Sequence, residues 1–206
     1  MTERISVKDK VEADLSRMPS SLDKLQAAQT LLKVDRAQGL KDLERLFRSG
    51  TTPDPLPDGR YAGKFITIDI APGLTQLAEL LAGIWMPWLG KTFDADHHSG
   101  ANVLTKASYP LARVLNPFYR GFIPDGATSY RAFAFRTYTA PGLADPNLTV
   151  LKIDYNLKEN PALTVRRVLD ELIQLADNLY LGKAYVHWWW RPADGWENFA
   201  YFSLTK

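Results

Sequence analysis

The closing stretch, "LYLGKAYVHWWWRPADGWENFAYFSL", constrains the fold most, because it reads as an antiparallel hairpin with aromatic side chains on both faces. It holds four of the six tryptophans, between Trp188 and Trp196. The "RPADG" segment supplies the turn residues between two β-forming runs. Because side chains alternate along a strand, three consecutive tryptophans cannot all line one cavity. The two predicted faces are Tyr185, His187 and Trp189 on one side, and Val186, Trp188 and Trp190 on the other.

Several earlier segments alternate in the same way and predict further strands. They are "RYAGKFITIDI", "ANVLTKA", "SYRAFAFRTYT" and "LTVLKIDYN". One helix is predicted among them, "NPALTVRRVLDELIQL", with Asn160 as N-cap and Pro161 at the first helical position. In that helix Leu169 and Leu172 fall near one face, while Asp170 and its acidic and basic neighbours mostly face water.

Composition separates the first 50 residues from the rest. Phe47 is the one aromatic residue among them, and apolar residues at helical spacing predict two helices, "SLDKLQAAQTLL" and "LKDLERLF". Ser21 is the predicted N-cap of the first, Gly39 is expected to interrupt the pair, and Gly50 to end it. The predicted organisation is a helical segment over 1–50, a proline-rich connector over 51–58, and a barrel domain over 59–206.

The strand pattern predicts an α+β fold that is mainly antiparallel β. Short antiparallel strands close economically as a barrel, or form a strongly curved sheet, and a barrel of about eight strands encloses one small ligand. The N-terminal helical segment and one or two further helices are expected to pack on the barrel or cap it. One of them, Leu74–Trp85, is interrupted by polar residues and too short for a transmembrane helix. We expect it to gate the barrel mouth, with Gly73 and Gly90 as hinges.

Charge and cysteine content exclude several classes of function. The formal net charge is +2, so nothing in the balance predicts nucleic-acid binding. The chain has no cysteine, which excludes disulfides, thiolate metal sites and a cysteine nucleophile. The first residues, "MTERISVKDKVEADLS", lack the apolar core of a signal peptide, so a cytoplasmic location is expected.

Three motifs, in order, resemble a bacterial family of small lipocalin-like β-barrels with a Gly-x-Trp-x-Gly signature. "GRYAG" (59–63) is similar to the opening strand of that family, with Tyr61 where the family has tryptophan. "WLGKTF" (88–93) looks like the segment that follows, and "LYLGKA" with "FAYFSL" resembles the closing strands. The resemblance covers residues 59–206. It implies an antiparallel barrel whose interior holds an apolar small molecule, and it implies no catalytic residues.

A ligand site in such an interior is expected to be mostly apolar with a few placed polar groups. An inward arginine beside aromatic rings suits a carboxylate or phenolate. The alternative is that Arg131 and Arg136 are solvated or paired with nearby acids. Lys183 is a further polar candidate. The predicted ligand-binding residues are Tyr61, Phe65, Trp88, Arg131, Phe133, Phe135, Tyr185, His187, Trp189 and Tyr201.

The stretch "FDADHHSG" offers Asp94, Asp96, His97 and His98 as candidate metal ligands. Adjacent histidines diverge along an extended chain, and an Asp-rich run ending in glycine also predicts a surface turn. We therefore expect no metal here and no cofactor, with a haem held by His187 as the alternative.

Three functions follow from these observations. The leading prediction is binding of a small hydrophobic ligand, such as a fatty acid, a lipid-derived molecule or an aromatic metabolite. The second is an enzyme that uses the same cavity for isomerisation, cyclisation or hydrolysis, with His187, Tyr185 or Asp94 as acid or base. The third is a protein-interaction module or homodimer formed through the N-terminal helices and an outward Trp188/Trp190 face.

Overall fold

The computed structural model describes residues 20–68, 88–188 and 195–206. The chain divides into two compact units at the bond between Leu46 and Phe47. Helices α1 (Ser21–Val34) and α2 (Arg36–Arg48) belong to the first unit, except for the last turn of α2. None of the helices in these described ranges is long and apolar enough to cross a membrane.

Helix α1 begins with a capping box that starts one residue before the predicted cap. The Ser20 hydroxyl accepts a hydrogen bond from the Asp23 backbone N–H at 3.1 Å, and the Asp23 carboxylate accepts one from the Ser20 N–H at 2.9 Å. The expected N-cap, Ser21, is therefore the first helical residue. Asp23 is the reason, because a carboxylate at the third helical position reaches back to the residue before the helix.

The predicted interruption at Gly39 is wrong, because α2 continues through it. Asp35 separates the helices and caps α2, accepting a hydrogen bond from the Gln38 N–H at 3.0 Å. A Cβ atom at Gly39 would lie 2.6 Å from the backbone nitrogen of Leu32. Glycine serves here for the close approach of α1 and α2 and does not break the helix.

The second unit is a closed eight-stranded antiparallel barrel, which confirms the predicted fold class. Its strand order is β3-β2-β1-β9-β8-β7-β6-β5, and pairing of β3 with β5 closes it. A short strand, β4, pairs with β5 alone. The strands are β1 (Gly59–Ile68), β2 (Trp88–Asp94), β3 (Ser99–Thr105), β4 (Ile123–Asp125), β5 (Ser129–Pro141), β6 (Thr149–Asp154), β7 (Val168–Ala176), β8 (Leu179–His187) and β9 (Trp196–Thr205).

The two ends of the barrel differ in their connections. At one end, called here the short-turn end, the connections are 95–98, 142–148 and 177–178. At the other, called the loop end, they are longer and include 106–122, with helix α3 (Tyr109–Leu115), and 155–167. Helix α3 was not predicted. The predicted helix Leu74–Trp85 lies outside the described residues, and so does the "RPADG" turn except for Gly195.

The helix predicted from Asn160 onward is wrong, because Val168–Ala176 forms β7 between β6 and β8. Leu172 and Asp170 face the lumen, whereas Leu169 and Ile173 face outward and are buried as well. Because both faces of β7 are buried, apolar residues occur at spacings of three and four, the same spacing as on one face of an amphipathic helix. Asp170, expected to face water, is fully buried.

Candidate functional site

A fully buried ion pair spans the barrel lumen. Lys91 Nζ lies 2.9 Å from Asp170 Oδ2, and both side chains have no exposed surface. Lys91 is on β2 and Asp170 on β7, and these strands are four places apart whichever way the barrel is followed. Strands in that relation lie opposite each other, so their side chains meet across the lumen.

Two neutral side chains complete what we call the lumen cluster, defined as Lys91, Asn102, Tyr155 and Asp170. Lys91 Nζ donates to Asn102 Oδ1 at 3.0 Å and also to the Tyr155 hydroxyl. That hydroxyl donates to Asp170 Oδ2 at 3.1 Å. The indole Nε1 of Trp88 donates to Asn102 Oδ1 at 3.1 Å, which makes Trp88 a reporter of the cluster. The cluster joins β2, β3, β7 and the residue that follows β6.

Aromatic rings surround the ammonium group of Lys91. Its Nζ lies between 5.0 and 5.5 Å from four ring centroids. Contact with aromatic faces compensates in part for the loss of water around a buried cation. The rings are those of Trp88, Phe135, Tyr155 and Phe202.

Burial shifts the titration of the three ionisable members towards their neutral forms. Loss of solvent lowers the pKa of Lys91 and raises the pKa of Asp170, and the attraction between the two charges opposes both shifts. The pKa of Tyr155 is raised well above its usual value by burial and by the charge on Asp170. The hydroxyl therefore stays protonated and serves as a hydrogen-bond donor.

One oxygen of the cluster has no partner. Asp170 Oδ1 is buried and accepts no hydrogen bond from any residue in the described part of the chain. A buried carboxylate oxygen without a donor is costly, and such oxygens are normally satisfied by protein, water or ligand. The lumen cluster thus presents one free acceptor.

Aromatic side chains fill the lumen at the short-turn end. Tyr61 packs edge to face on Phe93 at a centroid distance of 5.7 Å and on Tyr180 at 5.5 Å. Phe93 in turn packs on Phe135 at 5.3 Å. The apolar residues on the loop-end side of the cluster include Val168, Val186, Trp188 and Phe199, which belong to the same core. The side of the cluster that faces the loop end is therefore lined by apolar residues.

The structure brings some of the predicted ligand-binding residues into the lumen and separates others from it. Tyr61, Trp88 and Phe135 are interior, and Phe65 is half-buried against the same core. Tyr185, His187 and Tyr201 alternate with interior residues of β8 and β9 and lie on the outer face, which corrects their expected facing. Trp189 lies outside the described residues.

The predicted faces of the closing hairpin are reversed. Val186 and Trp188 belong to the interior core, and Trp188 Nε1 donates to Glu197 Oε2 at 2.8 Å. Trp188 is therefore not part of an outward aromatic surface, and Trp190 lies outside the described residues. A register shift of one residue moves every side chain of a strand to the opposite face of the sheet. The alternating sequence pattern does not determine which face is the interior one.

The prediction that Arg131 points into the barrel is wrong, because a bulge interrupts β5 at Phe133. The register of β3 on β5 shifts between Ala101 and Asn102, and Phe133 has a φ of 55°. The shift places Phe135 inside, whereas Arg131 faces out with its Nε 3.7 Å from Asp125. Phe133 stacks on Tyr119 at 5.0 Å, and Arg136 pairs with Asp154 at 2.7 Å. Arg131 and Arg136 are therefore both paired with acids, as the alternative prediction stated.

Asp94, Asp96, His97 and His98 lie at a surface turn between β2 and β3, as the alternative for this stretch predicted. Within the described ranges, no three such side chains come together as metal ligands. Asp94 and the outer-face residues Tyr185 and His187 are at opposite ends of the barrel, so the predicted acid and base residues do not form one site.

A hydrogen bond to Asp94 raises the pKa of His97. His97 Nδ1 lies 2.8 Å from an Asp94 carboxylate oxygen, and this hydrogen bond is the main cause of the upward shift. We expect Asp94→Asn to return the pKa of His97 towards its ordinary value in an NMR titration. A group whose pKa is raised by folding stabilises the turn at low pH and loses that effect as pH rises through the folded pKa. An unchanged His97 titration in the variant would contradict this assignment.

Sequence reasoning missed all four members of the lumen cluster. Lys91 stood within "WLGKTF" but was not singled out, and Asn102 and Tyr155 lay inside predicted strands without comment. Asp170 was placed on the polar face of a helix. The available signal was a lysine between aromatic residues in a strand, since lysine is rarely fully buried unless paired.

No family model and no curated protein matches the chain at a significant level. Among solved structures, it is similar to one described as a protein from Thermomonospora curvata, with a TM-score of 0.50 and 19% identity. The match covers 89% of this chain and 98% of that one. At this identity the similarity shows the fold alone, and it supports the β-barrel.

Proposed function

We propose that the barrel binds a small, largely hydrophobic molecule in its lumen, on the loop-end side of the lumen cluster. The free Oδ1 of Asp170 is the observation that carries the proposal, because a buried acceptor without a donor suits a ligand hydroxyl or N–H. A barrel fold is compatible with such a role. Ligand sites commonly combine apolar walls with a few fixed polar groups.

The charges of the cluster favour a neutral ligand. Lys91 and Asp170 already balance each other, and the oxygen left for the ligand belongs to a carboxylate. An anionic head group would meet that carboxylate and be repelled, whereas an alcohol, phenol or amide would donate to it. This refines the expected ligand class away from free fatty acids.

The proposal is tested by comparing 1-decanol with decanoate at neutral pH on solvent-extracted protein. The readout is the indole N–H NMR signal of Trp88, which is hydrogen-bonded to the cluster. We expect decanol to bind at least about tenfold more tightly, which corresponds to about 1.4 kcal/mol. Tighter binding of decanoate, or no Trp88 response to either, would contradict the proposal.

Two double variants supply a matched comparison. Lys91→Met/Asp170→Leu replaces the lumen ion pair with apolar side chains, and we expect decanol to bind about tenfold more weakly. Lys152→Met/Glu171→Leu removes another buried ion pair, which joins β6 to β7 on the outer face. Decanol binding should be unchanged in this control, because neither residue faces the lumen.

A further inference from the structure

A cavity lies on the outer face of the barrel, where the connection 155–167 covers the ends of β6, β7 and β8. Its volume is about 540 Å³, within the usual range for small-molecule sites. Three of its lining residues, Asp154, Leu169 and His187, alternate along their strands with residues that face the lumen. The cavity is therefore separated from the lumen cluster by the barrel wall.

Two arginines give this outer cavity a positive charge. Arg166 and Arg167 come from the turn Val165–Arg167, and both line the cavity. Arg166 Nε donates to Asn156 Oδ1 at 3.1 Å, which fixes its position. Arg167 Nε is buried and makes no hydrogen bond to any residue in the described ranges. Its guanidinium therefore retains a donor for another group.

Among the described residues of the cavity wall, the one carboxylate is already neutralised. Asp154 Oδ2 accepts hydrogen bonds from Arg136 Nε at 2.9 Å and from its terminal nitrogen at 2.7 Å. Asp154 Oδ1 accepts one from the backbone N–H of Asn156 at 2.8 Å. With Asp154 paired to Arg136, the charges of Arg166 and Arg167 dominate the cavity.

Flat and apolar surfaces lie beside these arginines. Trp196 and Tyr138 line the cavity together with Leu169. The Trp196 ring packs against the His187 ring at a centroid distance of 5.3 Å, which holds the two rings in place. Guanidinium groups bind carboxylates with paired hydrogen bonds, and aromatic side chains stack on planar ligands.

We propose that the outer cavity is a second ligand site, which binds an aromatic carboxylate with its acid group on Arg166 and Arg167 and its ring against Trp196. This site is independent of the ligand in the lumen. The two differ in chemistry, because the lumen presents an acceptor to a neutral donor and the outer cavity presents donors to an anion.

The test is an NMR titration of the full chain with 2-naphthoate, with neutral 2-naphthalenemethanol as the comparison ligand. Two indole signals report the two sites, Trp196 for the outer cavity and Trp88 for the lumen. We expect naphthoate to shift the Trp196 signal and leave Trp88 unchanged, and the alcohol to have at least about tenfold weaker effect on Trp196. A shift of Trp88 without Trp196, or no shift at millimolar naphthoate, would overturn the proposal.

Arginine variants sharpen the result. Arg166→Gln/Arg167→Gln should weaken naphthoate binding at least about tenfold. Arg113→Gln should leave it unchanged, because Arg113 is exposed on α3 and does not line the cavity. Unchanged binding in the double variant would contradict the assignment of the acid group. If the double variant does not fold, the titration of the unaltered protein still tests the proposal, because naphthoate should shift the Trp196 signal and leave the Trp88 signal unchanged. Failure of ligand binding in the lumen would be seen as an unchanged Trp88 signal with decanol, whatever the Trp196 signal does with naphthoate. The two proposals are therefore tested separately.

Discussion

Asp170→Ala should lower the free energy of unfolding by about 3–5 kcal/mol, because it leaves the buried ammonium group of Lys91 without its counter-charge. Chemical denaturation monitored by tryptophan fluorescence measures the loss. Asp177→Ala is the matched control, since Asp177 is an exposed acid in the turn that follows β7. It should change stability by less than about 0.5 kcal/mol. A small effect of Asp170→Ala would show that the lumen ion pair is not buried as described.

The loss of unfolding free energy in Asp170→Ala should depend on pH. Burial already lowers the pKa of Lys91, and removal of Asp170 takes away the charge that opposes this shift. Between the lowered folded pKa and the ordinary unfolded pKa, the unfolded chain binds more protons than the folded one. The stability of the variant should therefore rise with pH through that window. Lys91→Met/Asp170→Leu should recover most of the stability at neutral pH, because it removes both charges together.

Gly90→Ala should destabilise the barrel by about 3–5 kcal/mol, the combined cost of overpacking and backbone strain. Gly90 has a φ of 137°, and an added Cβ atom would lie 2.0 Å from the carbonyl oxygen of Tyr61. It would also lie 2.7 Å from the backbone nitrogen of Gly63. Both contacts are with backbone, so neither is relieved by turning a side chain. The expected result is a large drop in unfolding free energy or a failure to fold.

Gly126→Ala is the control for this substitution. Gly126 also has a positive φ, 79°, but an added Cβ atom would meet nothing within 4 Å. The control should therefore cost only the strain of the backbone, about 1 kcal/mol. Equal effects at Gly90 and Gly126 would contradict the close packing of β1 on β2.

Close packing also accounts for two glycines in the sequence motifs. Gly63 of "GRYAG" lies against Trp88 of "WLGKTF", and an added Cβ atom would come within 2.4 Å of that indole ring. Gly182 of "LYLGKA" lies equally close to Phe202 of "FAYFSL". Gly63 and Gly182 thus make room for large aromatic side chains that belong to the interior core. The motifs thus predict how the barrel is packed, and no family match extends that to function.

Local patterns predicted most strands, because alternation and turn residues act over a few positions. They failed where facing depends on distant partners. Asp170 is buried because Lys91 meets it from the opposite wall, and no local pattern contains that pairing. The bulge at Phe133 reversed the expected facing of Arg131, and β7 imitated a helix because both of its faces are covered. The sequence therefore held a signal for the burial of Lys91 but none for its partners, whereas the barrel around them could be predicted.

The proposed ligand of the lumen is a neutral, hydrogen-bond-donating hydrophobic molecule on the loop-end side of the lumen cluster. Native mass spectrometry of freshly purified full-length protein, before and after extraction with organic solvent, tests it most directly. The account predicts one bound molecule per chain, lost on extraction, regained when the extract is returned, and carrying a hydroxyl or N–H but no acid group. A chain at its bare sequence mass throughout, or a bound organic acid, would contradict the account.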